Sequence, residues 1–94
     1  VKDVNEFTKK DEKDVDRMLF FIKNGREIEF LYKNKEYFMS YTGELGRALV
    51  GSNGELIGNT FNDDHVSFFY NAKIDGKTLH DIFKDNEAEV TGVL

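Results

Sequence analysis

Two short runs of alternating side-chain character, separated by three polar residues, constrain this chain more than any other feature. Glu27-Ile28-Glu29-Phe30-Leu31-Tyr32 and Glu36-Tyr37-Phe38-Met39-Ser40-Tyr41 flank Lys33-Asn34-Lys35. Side chains alternate between faces along a strand, so the runs predict two antiparallel strands and a tight turn. A two-residue turn at Asn34-Lys35 pairs Tyr32 with Tyr37, Phe30 with Met39 and Ile28 with Tyr41. One face of that hairpin is wholly apolar, and the other carries Glu27, Glu29 and Ser40.

The remaining segments supply what must cover the apolar face. Val15, Met18, Leu19 and Ile22 recur at helical spacing and predict an amphipathic helix that stops at Asn24-Gly25. Thr8, Asp11 and Asp14 offer N-terminal capping oxygens. Val4 and Phe7 either extend the stripe upstream or belong to a frayed arm over residues 1–10. Arg47-Ala48-Leu49-Val50 and Glu55-Leu56-Ile57 flank Asn53-Gly54, a strong short-range hairpin signal. Asn62-Asp63-Asp64 can cap a helix carrying Val66, Phe69, Tyr70 and Lys73. A strand also suits Val66, Phe68 and Phe69, but the three capping residues favour helix. Asp75-Gly76 breaks the chain, Leu79, Ile82 and Phe83 mark another short helix, and residues 87–94 end the chain as a strand. The expected order is α-β-β-β-β-α-α-β. It describes one α+β domain over residues 1–94, with an antiparallel sheet of four to five strands and helices on one face.

Charge is unevenly distributed. Residues 1–54 hold ten acidic and ten basic side chains, whereas residues 55–94 hold eight acidic against three basic, the source of the net charge of −5. A net negative chain is poorly suited to the phosphate backbone, so direct nucleic-acid binding is not expected. Lys9, Lys10, Lys13 and Arg17 interleave with Asp11, Glu12, Asp14 and Asp16, as on a solvated helix surface. The absence of Cys excludes disulfides, a thiol nucleophile and thiolate metal ligation. The longest apolar run, residues 18–22, is far short of a membrane span. Lacking a secretory leader, the chain is expected in the cytoplasm, and Val1 in place of Met is expected of a trimmed chain.

Motifs of chemistry are sparse. Gly76-Lys77-Thr78 resembles the end of a phosphate-binding loop, but the glycine required five residues earlier is Asn71. A helix start capped by Thr78 or Asp75 explains the segment. His65 and His80, beside Asp63, Asp64 and Asp81, are the candidates for metal ligation or acid–base work, yet they are fifteen residues apart. Ser40, Ser52 and Ser67 have no nucleophile-elbow context. The aromatic residues alternate with Glu27, Glu29 and Glu36, which suits core packing better than base stacking. No cofactor is expected.

The runs Gly25-Arg26-Glu27-Ile28-Glu29-Phe30-Leu31-Tyr32 and Lys73-Ile74-Asp75-Gly76-Lys77-Thr78-Leu79-His80-Asp81-Ile82 carry a resemblance. They are similar to segments of small uncharacterised proteins of Firmicutes and their phages or mobile elements. Residues 43–61 and the N-terminal arm lie outside that similarity. The resemblance implies a mobile-element setting, in which small inhibitors of the anti-CRISPR, immunity or antitoxin kind are found.

Together these features lead to the expectation of a small acidic, non-enzymatic inhibitor that masks a basic surface of a larger protein. The expected partner is a nucleic-acid enzyme such as a CRISPR effector nuclease, or a toxin. Its contact residues are expected among Asp63, Asp64, Asp75, Asp81, Asp85, Glu87 and Glu89, with Phe68 or Tyr70 as apolar anchors. Two alternatives stand beside it. One is a small metal-dependent enzyme using His65, His80 and carboxylates; the other is a subunit that self-pairs through a sheet edge. A monomer or a small homo-oligomer fits these readings.

Overall fold

The structure, a computed structural model, describes residues 13–94. The arm over residues 1–10 and the capping roles of Thr8, Asp11 and Asp14 therefore fall outside the described side chains, as do Val4 and Phe7. Helix α1 (Lys13–Lys23) buries Val15, Met18 and Ile22 along the predicted stripe. It ends at Asn24-Gly25 with both closing bonds of a Schellman motif. Gly25 N–H donates to the Ile22 carbonyl at 3.0 Å and Arg26 N–H to the Phe21 carbonyl at 3.0 Å, with Gly25 at φ 78°.

Strands β1 (Ile28–Tyr32) and β2 (Lys35–Thr42) form the expected hairpin in a different register. Tyr32 faces Lys35, Phe30 faces Tyr37 and Ile28 faces Met39. The turn is Lys33-Asn34 rather than Asn34-Lys35, because both central residues take the positive φ of a primed turn, 51° and 64°. A slip of two positions leaves every side chain on its face, so the apolar side is the predicted one. In the observed register the Phe30 and Tyr37 rings stack, with centroids 5.6 Å apart.

Strands β3 (Gly46–Val50) and β4 (Leu56–Ile57) make the second hairpin, and β7 (Ala88–Val93) returns to pair with β1. The sheet is antiparallel throughout in the order β4-β3-β2-β1-β7. Its register beside Glu29 and Phe30 skips Thr91, a bulge in the outer strand.

Helix α2 (His65–Asn71) follows Asp64, whose side chain accepts from the Ser67 N–H at 3.0 Å. The helix reading therefore holds, but its buried face is Phe68 and Phe69. Val66 and Tyr70 are exposed, and Lys73 lies beyond the helix in β5. The Asp75-Gly76 break is itself a hairpin turn, with φ of 52° and 81°, joining β5 (Lys73–Ile74) to β6 (Lys77–Thr78). Helix α3 (Leu79–Lys84) then starts on Thr78, whose hydroxyl accepts from Asp81 N–H at 3.2 Å. Leu79, Ile82 and Phe83 are buried as expected.

The architecture is α+β. The three helices pack on the sheet face that carries Ile28, Phe30, Met39 and Leu49, and this single core unites both layers. No described helix or strand packs on the other face.

Candidate interaction surface

The carboxylates singled out from the sequence differ in their local partners. Asp64 is spent on capping α2, and Asp63 accepts from the Tyr41 hydroxyl at 2.7 Å. That bond pushes the Tyr41 pKa up. Asp75 occupies the β5–β6 turn. On α3, Asp81 lies 3.0 Å from His80 Nδ1. Asp85 and Glu87 share the Lys77 ammonium at 2.7 and 2.6 Å. Hydrogen bonds to Asp85 and then Glu87 raise the Lys77 pKa, and the same contact holds the Asp85 carboxyl below its ordinary range. Asp85 and Glu87 therefore meet at one cation, Asp63 and Asp64 stand together beside His65, and Asp81 faces His80. Glu89 points from β7 away from the helices.

The two aromatic anchors part company as well. Phe68 is 0% exposed and packs against Phe61 with ring centroids 5.6 Å apart, so it belongs to the core and cannot meet a partner. Tyr70 is 42% exposed, on the α2 face turned away from the sheet, and stacks on His80 at 4.6 Å.

The histidines sit in separate surroundings. His65 opens α2 and lies edge-on to Tyr41 at 4.7 Å, whereas His80 lies against Tyr70 and Phe69. Among the described residues no three His, Asp or Glu side chains converge to hold a metal ion. The His65 ring accepts from Arg47, the one buried charged side chain among the described residues. Arg47 is 0% exposed, projects inward from β3, and donates to the carbonyls of Ile22 at 2.8 Å and Arg26 at 2.9 Å. Tyr41 and Phe68 rings flank its guanidinium at 5.0 and 5.7 Å. Burial lowers its pKa and the nearby Glu27 partly restores it; an arginine stays charged under either influence.

The sheet face on which no described helix or strand packs has a more coherent arrangement. Register places Glu29, Phe38, Val50 and Leu56 in one row across β1, β2, β3 and β4. The adjacent row runs Glu89, Leu31, Glu36 across β7, β1 and β2. Leu31, Phe38 and Val50 are half-buried, and Leu56 is 48% exposed. Neither row contains a lysine or arginine. The result is an apolar stripe flanked by three carboxylates with no cation among them. Opposite neighbours in a sheet stand about 5 Å apart and diagonal ones about 7–8 Å, so both rows form one patch. Glu29 was legible as outward-facing, whereas Glu36, Leu31 and Phe38 were not read as a site. The available signal was that Leu31 and Phe38 interrupt the polar alternation of the outward positions.

Comparison with protein-family models, with curated proteins and with solved structures finds no match to this chain. No described helix is long and apolar enough to cross a membrane.

Proposed function

We propose that this protein is a non-enzymatic inhibitor that acts by binding, and that the open sheet face is its contact surface. The partner is a larger protein with a basic, partly apolar surface. A nucleic-acid enzyme fits that description, because its groove must present Lys and Arg to phosphates. In the mobile-element setting, such an enzyme is a CRISPR effector nuclease or a toxin. The observation that carries the reading is the pairing of a half-buried apolar stripe with Glu29, Glu36 and Glu89 in two rows that hold no basic side chain, Lys33 standing at their edge beside Leu31 and Glu89. Phe38 and Leu31 supply the desolvated centre that usually dominates binding energy, and the carboxylates steer and orient the encounter. A second copy of the chain is a poor occupant, since two such faces would oppose glutamate to glutamate.

The test is inhibition and binding measured against purified effector nucleases and toxins at low and high salt. Association should slow as salt rises, because charge steering is screened. The variant Glu29→Lys/Glu36→Lys/Glu89→Lys should lose binding, and Phe38→Ala should weaken it by about tenfold or more, equivalent to about 1.4 kcal/mol. Asp81→Lys/Asp85→Lys should leave binding intact. Binding that responds to the α3 variant and ignores the sheet variants would move the contact surface to the helices.

A further inference from the structure

One partner of the buried Arg47 can gain a proton near neutral pH, and the geometry leaves no room for it. A guanidinium has only N–H donors. Its Nη2 and Nη1 donate to the Ile22 and Arg26 carbonyls, and Nε donates to His65 Nδ1 at 3.2 Å. His65 Nδ1 must therefore present a lone pair, which makes the ring neutral with its proton on Nε2. A second proton at Nδ1 would aim N–H at N–H and bring two cations into contact.

We propose that His65 and Arg47 form an acid-sensitive latch, closed at neutral pH and released by mild acidification. The latch joins the first turn of α2 to the N-terminal end of β3, where Arg47 reaches the Ile22 carbonyl in the last turn of α1. Arg47 is held by carbonyls from α1, the segment before β1 and β2, so His65 is the member that moves. Its departure also parts the edge-on contact with Tyr41 and disturbs the Tyr41–Asp63 bond.

The charged groups around the ring act in both directions. Arg47 from β3 opposes the imidazolium, while Asp63 and Asp64, just before α2, favour it. Tyr41 from β2 supplies an aromatic edge, and Glu27, ahead of β1, faces Arg47 rather than the ring. Burial is the largest influence and Arg47 the next, so the His65 pKa lies below the ordinary 6.5. A folded-state value below the unfolded one means that the contact's stabilisation is fully present above about pH 6.5. It is lost as pH falls through the folded-state value. Once the ring has left Arg47, Asp63 and Asp64 remain beside it to pair with the imidazolium.

The experiment is nuclear magnetic resonance of the imidazole nitrogens and backbone amides from neutral to mildly acidic pH. The latch requires the Nε2–H tautomer at neutral pH and a His65 midpoint below about 6.5. It also requires the amides of residues 61–67 to shift with that same midpoint. His65→Asn places a non-titrating acceptor near the Nδ1 position and should abolish the acid response of those amides. A His65 midpoint at or above about 6.5 would overturn the proposal. So would an unchanged amide response in His65→Asn. If that variant does not fold, the tautomer and midpoint of the natural protein still decide.

Discussion

At the scale of single residues, Arg47 is the most consequential side chain. It donates to the Ile22 carbonyl near the end of α1, which also accepts from the Gly25 N–H, and to the Arg26 carbonyl ahead of β1. A buried polar group left unpaired costs about 1–3 kcal/mol, and Arg47→Met takes the side-chain donor from the Arg26 carbonyl and one of two donors from the Ile22 carbonyl. We expect that variant to lose about 1–3 kcal/mol, read as a lower urea midpoint. Arg47→Lys, with a point charge in place of a planar fork, should fall between the two. The inward placement of Arg47 was not legible locally. Alternation puts it on the same face as Leu49, where a charge looks like a conflict. The acceptors that resolve it come from residues 21 to 25 positions earlier. Phe68 misled for the complementary reason, since a two-turn helix can bury either flank and only its neighbours choose.

At the scale of elements, turns and caps were readable because their chemistry is local. Gly25, Asp64 and Thr78 each act within a few residues of themselves, through a positive φ or a side-chain acceptor. Glycine positions separate local from tertiary cost. Gly76, at φ 81°, has nothing within 4 Å of where a Cβ would stand. Gly76→Ala should therefore lose only the backbone penalty, about 1–2 kcal/mol. Gly46, at φ 72°, lies beneath the Asn62 backbone, and an added Cβ would fall 2.5 Å from its Cα and carbonyl oxygen. Both are backbone atoms that cannot swing aside, so Gly46→Ala should lower the melting temperature several times more than Gly76→Ala. Comparable losses in the two variants would contradict the close approach of residue 62 to β3. The hairpin register was misread by two positions because either pairing buries the same side chains. The turn alone distinguishes them, and Lys33-Asn34 lacks the glycine that would have marked it.

At the scale of the whole molecule, charge and layering matter together. Folding ties Asp85 and Glu87 to Lys77, which offsets part of the C-terminal negative charge. It also leaves one sheet face without a described covering layer, and the glutamates there bear on solubility. Large exposed apolar patches promote association, which like charges oppose. Replacing Glu29, Glu36 and Glu89 together with valine should increase self-association in sedimentation relative to the natural sequence. A monomeric triple variant would show that these carboxylates do not guard the face.

The amino-acid order alone determined the α+β class, the first hairpin's apolar face, the stop of α1, the capped start of α2 and the terminal strand. Each rests on periodicity or on contacts spanning a few residues, where steric and hydrogen-bonding preferences are intrinsic to the local chain. Tertiary structure decided the pairing of β7 with β1, the burial of Arg47 and Phe68, and which sheet face the described helices cover. Those outcomes depend on which distant surfaces exclude water from one another, a competition settled only when all the layers are in place.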